Sequence, residues 1–75
     1  MMTAIDRRQE LHQLAEEHGW QCNERERVDI YIRGAEQVHV VWRGTEAISG
    51  GSRYDDYILG TYSRDLATIQ GWLKR

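Results

Sequence analysis

From Val28 to Trp42 the apolar residues of this 75-residue chain fall on alternate positions, and that period of two constrains its fold more than any other feature. Val28, Ile30 and Ile32 point one way in such a strand, and Asp29, Tyr31 and Arg33 point the other. After Gly34 the alternation resumes over 37–42, with Val38, Val40 and Trp42 on one face and Gln37, His39 and Val41 on the opposite one. Two such runs separated by a glycine form an antiparallel hairpin, in which directly paired residues share a face. A two-residue turn at Gly34-Ala35 pairs Ile32 with Gln37 and Tyr31 with Val38, mixing apolar and polar positions. A turn one residue longer pairs Ile32 with Val38, Ile30 with Val40 and Val28 with Trp42. The second register gathers the apolar residues, so it is the expected one, with Tyr31, His39 and Val41 facing outward.

The flanks read as helices. Leu11, Leu14, Ala15 and His18 recur at helical spacing, which predicts a helix over 4–18 with Thr3 as cap and Asp6 in the first turn. Gly19 stands where a left-handed helix end wants glycine, and Trp20 follows as its hydrophobic partner on Leu14 or Ala15. Residues 21–26 are polar and read as a connector. A third strand falls at 47–54, around Ile48, or at 53–59, around Tyr57 and Leu59; the first is preferred because it makes a short hairpin. Gly50-Gly51 then lets a helix or a partner backbone approach the sheet closely. Ser63 caps a last helix, with Asp65 in its first turn and Leu66, Ile69, Trp72 and Leu73 on one face. The expectation is one α+β domain over 1–75, in two layers: helix, three-stranded antiparallel meander, helix.

The chemistries this sequence leaves out are as informative. Its net charge of −2 argues against strong non-specific nucleic-acid binding. One cysteine, Cys22, rules out an internal disulfide. The charged N-terminal pattern does not read as a signal peptide and no apolar run approaches a membrane span, so a cytoplasmic protein without membrane contact is expected. His12 and His18 lie about 240° apart around a helix and do not share a metal ion. His18 and Cys22 straddle the helix stop, but two ligands are too few for a metal, and no local signature makes them a nucleophile and base. Asp55-Asp56 reads as a solvated turn, and the glycines fit no phosphate loop. No catalytic residue, cofactor or metal is expected, and the chain reads as not an enzyme.

The order of helix, three strands and helix is shared with double-stranded RNA-binding domains. Those domains carry lysines at the start of the last helix, where this chain has Ser63-Arg64-Asp65-Leu66. The stretches Leu14-Ala15-Glu16-Glu17-His18-Gly19-Trp20, Asp29-Ile30-Tyr31-Ile32-Arg33-Gly34 and Val38-His39-Val40-Val41-Trp42 resemble small uncharacterised proteins of mycobacteria and their phages. That resemblance implies an accessory protein of a GC-rich host or its virus, a kind that commonly acts by binding a host protein.

The functional expectation is therefore a non-catalytic interaction module that presents one sheet face to a protein, either a host protein or a second copy. Tyr31, Arg33, His39, Val41 and Tyr54 are its expected contact residues, since aromatics and Arg are common anchors. The small core favours a homodimer. The alternative is a nucleic-acid-binding accessory protein using Arg33, Arg43 and Arg53.

Overall fold

The computed structural model describes residues 6–75. Its element order is α1 (Arg7–Glu17), β1 (Gln21–Glu24), β2 (Val28–Arg33), β3 (Glu36–Arg43), β4 (Ala47–Asp55), β5 (Ile58–Ser63) and α2 (Leu66–Leu73). The five strands form one antiparallel sheet in the order β1-β2-β3-β4-β5. The α+β class and the helix–meander–helix plan are as expected, but the meander has five strands, not three. Residues 21–24 of the expected connector are an edge strand. The preferred third strand corresponds to β4. The rival placement at 53–59 straddles the β4–β5 turn, and its end opens a fifth strand.

Helix α1 starts at Asp6, whose carboxylate accepts from the Gln9 amide at 2.9 Å. The expected cap Thr3 and the first residues of the expected helix lie outside the described residues. The helix stops as read from the sequence. Gly19 takes φ +83°, its amide bonds Glu16 O at 3.1 Å, and the Trp20 amide reaches back to Ala15 O at 2.9 Å. This is the paired bonding of a glycine-terminated helix. Trp20 then enters the core, and its indole N–H donates to Leu73 O at 2.9 Å, tying the end of α2 to the end of α1. Helix α2 begins two residues later than Ser63 suggests. Asp65 stands at its cap position with Thr68 Oγ1 donating to its carboxylate at 3.0 Å, while Ser63 Oγ accepts from the Asp65 amide.

The hairpin register corrects the expectation. Ile32 pairs with Gln37, Tyr31 with Val38 and Asp29 with Val40, so the turn is the two-residue Gly34-Ala35. Gly34 has φ +61° at the first central position, which is the geometry a tight primed turn asks of glycine. Strand β3 faces as expected, with Val38, Val40 and Trp42 buried under the helices, but β2 is inverted. Tyr31 and Asp29 are fully buried, and Val28, Ile30 and Ile32 look away from the helices. The core is Leu11, Ala15, Trp20, Tyr31, Val38, Val40, Trp42, Ile69, Trp72 and Leu73.

Gly51 pairs with Val40 on the helix-facing side, where a Cβ would overlap Ile69 Cδ1 and lie 3.1 Å from Ile69 Cγ1 and 3.2 Å from the His39 carbonyl. This is the close helix approach read from Gly50-Gly51. Gly50 faces the other way, and a Cβ there would meet only the Tyr62 ring. Gly51→Ala should therefore destabilise by about 1–3 kcal/mol, the usual cost of overpacking a fixed site. Gly50→Ala should cost much less, because the Tyr62 side chain is 57% exposed and free to swing aside. Thermal melts of the two variants check this order; equal losses would contradict it.

Candidate functional site

Two places in the fold stand out: the sheet face away from the helices, and a polar cluster beneath α1. Alternation and pairing assign the first. Ile30 pairs with His39, Val28 with Val41, His39 with Ser52, Gln37 with Tyr54, Ser52 with Tyr62 and Tyr54 with Leu59. The face thus carries three β-branched residues of β2, then His39 and Val41, Tyr54, and Leu59 with Tyr62. Val41 is 40% exposed, and Leu59 and Tyr62 are each 57% exposed. Apart from His39, none of these residues titrates near neutral pH. The His39 ring lies 4.6 Å from that of Tyr54, and its Nε2 is 2.9 Å from Gln37 Oε1. Partial burial lowers the His39 pKa below the ordinary histidine value, which favours the neutral ring, and the exposed Arg43 at the end of β3 is the charge that alternation places on this side.

Of the expected contact residues, His39, Val41 and Tyr54 share this face. Tyr31 does not, because the register turns it into the core. Arg33 sits with Tyr31 on the helix side. Its guanidinium stacks 4.3 Å from the centre of the Trp20 ring and its Nη1 donates to His18 O at 2.9 Å, closing the end of α1. Ile30, Ile32, Leu59 and Tyr62 were missed as face residues. The signal that finds the first two is the tight-turn geometry of Gly34.

The three arginines of the nucleic-acid alternative do not line one groove. Arg33 and Arg53 both bond the Glu36 carboxylate, at 3.2 and 2.7 Å, while Arg43 is exposed at the far end of β3, paired with Ala47. The Arg53 hydrogen bond holds the Glu36 carboxyl below its usual range, against the opposing effect of burial and with help from Arg33. A lowered folded pKa means that this bridge stabilises the fold above the unfolded value of 4.5 and is lost as pH falls through the folded one. Glu36→Gln should flatten the acid limb of the stability curve below pH 4.5, by no more than about 1 kcal/mol for a part-exposed bridge. Urea denaturation at stepped pH reads this slope; an unchanged slope would contradict it.

The second place is built on directly paired residues of β1 and β2. Cys22 pairs with Tyr31 and Glu24 with Asp29, all toward the helices. Helix α1 roofs them with Arg8 and His12, one turn apart. Asp29 is fully buried. It accepts from Arg8 Nε at 3.0 Å and Arg8 Nη2 at 2.9 Å, and its Oδ2 lies 2.7 Å from His12 Nε2. Burial pushes the Asp29 pKa up, but the hydrogen bonds from Arg8 and His12 outweigh it and hold the carboxyl below its usual range. Burial, with the charges of Asp29 and Glu24, pushes the Cys22 thiol up to about 11. A thiol so placed stays protonated and is a poor nucleophile. Sequence reading paired Cys22 with His18, but His18 Nδ1 bonds Leu14 O at 2.9 Å and the histidine near Cys22 is His12.

Among the described residues, no helix is long and apolar enough to cross a membrane. Comparison with protein families, characterised proteins and solved structures finds no match to this chain.

Proposed function

We propose that this chain is a non-catalytic protein-interaction module working through the open face of its sheet, and that the occupant of that face is a second copy of the chain. The observation that carries the reading is the face itself: Ile30, Ile32, Val41, Tyr54, Leu59 and Tyr62 lie together across β2–β5, with Arg43 at the end of β3 as the charged residue that alternation adds to them. Val41, Leu59 and Tyr62 are exposed to water with Ile30, Ile32 and Tyr54 half-buried beside them, and a contiguous apolar patch marks an interaction site.

The choice of occupant follows from chemistry and size. A face that is apolar but for Arg43 at one end offers little to steer an oppositely charged partner and little to repel its own copy across a two-fold axis. Two such sheets stack about 10 Å apart in an aligned sandwich. Four strands about 4.8 Å apart and about six residues long span a plane of roughly 400 Å². That is about half of the roughly 800 Å² per partner of a standard interface, the small end of the range for a pairing of copies. A contact module of this kind also fits the accessory role that the resemblance implies.

Sedimentation equilibrium over a wide concentration range tests it. The expected result is a mass twice the 8.8 kDa of the chain, insensitive to added salt because no charge pair is made. A monomeric mass at every concentration, or association that salt dissolves, would overturn the proposal.

A further inference from the structure

We infer that the cluster beneath α1 is a binding site for a borderline divalent transition metal, zinc above all, with Cys22, His12 and Asp29 as its protein ligands. This does not rest on the sheet-face reading. One ligand atom from each of the three lies within 4.8 Å of the other two. Around tetrahedral zinc, neighbouring N, O and S ligand atoms sit about 3.3–3.8 Å apart. The 2.7 Å contact of His12 with Asp29 would open by roughly half an ångström, and the longer separations would close by about 1 Å. Side-chain rotations supply both movements. Soft thiolate with imidazole and a carboxylate is a donor set that suits zinc better than magnesium or calcium.

Two further observations point to a ligand. The Tyr31 hydroxyl is fully buried beside Cys22 and Asp29, and among the described residues it finds no oxygen or nitrogen partner, only the weakly bonding Cys22 thiol. A metal-bound Cys22 thiolate would be an acceptor for it, where a neutral thiol is a weak one. The charges also balance. A dication with Arg8 meets the Cys22 thiolate, Asp29 and Glu24, whose carboxylate is 3.6 Å from His12 Nδ1. Arg8 orients that carboxylate, with Nη2 on Oδ1 and Nε on Oδ2, and Oδ2, which also faces His12, would share its Arg8 bond with the metal. A surface cleft of about 420 Å³, lined by Gln9, His12, Glu16, Cys22 and Glu24 among others, gives the ion a way in. Glu24 or water completes the fourth position. Binding exchanges the Cys22 S–H proton, released to solvent, for a sulfur–metal bond, and frees His12 Nε2 of the proton it shares with Asp29, which passes to Nδ1 beside Glu24 or to solvent, with no change of oxidation state.

Titrating the whole reduced chain with Co²⁺ tests the site. The expected result is one Co²⁺ per chain, with a thiolate-to-cobalt charge-transfer absorption that Zn²⁺ abolishes and Cys22→Ser lacks. Absence of that absorption from the folded wild-type protein would overturn the inference, as would binding that gives only the weak spectrum of oxygen ligands at surface acids. If Cys22→Ser fails to fold, the wild-type chain decides by a second measurement. Zn²⁺ should slow alkylation of Cys22 and raise Tm, and a chelator should reverse both; unchanged alkylation and Tm count against the site.

Discussion

Asp29→Ala should cost the fold about 3–5 kcal/mol, the range for breaking one partner out of a buried ion pair. A domain of this size holds only roughly 4–11 kcal/mol in total, so the variant should be close to unfolded at physiological temperature. The reason is geometric. Asp29 is fully buried, and Arg8, its partner, has a side chain only 13% exposed. Without the carboxylate, Arg8 Nε and Nη2 and His12 Nε2 lose their acceptor under α1. Arg8 also donates to the carbonyls of Arg25 and Glu26, so the network holds the β1–β2 turn against the helix. Asp29→Asn keeps acceptor oxygen but no charge and should fall between wild type and alanine. Glu10→Ala, which removes the exposed bridge to Arg7, should change nothing measurable. Urea titration of the three variants checks the order; an alanine loss below about 1 kcal/mol, the size of a surface pair, would mean that the buried network contributes little.

The second large effect is on association. Val41 lies on the open face toward the Arg43 end of β3 and is already 40% exposed, so Val41→Lys should leave the folded monomer intact. In a face-to-face dimer it sets two ammonium groups into a mainly apolar contact. Like charges brought together this way cost several kcal/mol, which at 1.4 kcal/mol per decade is a loss of about a hundredfold or more in affinity. Protonating His39 should act in the same direction. The groups around its ring are the Gln37 amide, the Tyr54 ring, and the cross-strand neighbours Ile30 and Ser52. None is a carboxylate that would compensate a charge. His39 must stay neutral to be covered, so association is complete above its pKa in the free chain and is lost as pH falls through its lower pKa in the dimer. His39→Gln should remove that acid sensitivity. Circular dichroism of Val41→Lys must remain that of the wild type while its sedimenting mass halves; a wild-type mass would contradict the contact.

Much of the fold is legible in the sequence, for reasons particular residues make plain. Gly19 and Trp20 end α1 by local chemistry, and local chemistry is what a sequence displays. Val38, Val40 and Trp42 face the core because no other arrangement covers two valines and a tryptophan. Strand β2 is not legible by the same rule, because both of its faces are acceptable. Val28, Ile30 and Ile32 look like a core stripe, whereas Asp29 looks like a surface residue until Arg8 and His12 are seen one turn apart on α1, above it. Gly34 favours the tight turn, and the tight turn decides the matter. Gathering apolar residues on one face assumed that the other is polar, which fails in a sheet with two apolar faces. The edge strands β1 and β5 were hidden for another reason. Gln21–Glu24 shows no alternation at all, and Ile58–Ser63 is almost wholly exposed, so neither carries the burial pattern by which strands are recognised. His12, Cys22 and Asp29 come together only through the β1–β2 pairing and the placing of α1, which no sequence spacing encodes.

The most direct test of the contact face is an isotope-filtered NOE experiment on a mixture of labelled and unlabelled chains. Cross-chain signals are expected from the methyls of Ile30, Ile32 and Val41 to the rings of Tyr54 and Tyr62. Silence at those methyls, or cross-chain signals arising from α1 and α2 instead, would contradict it.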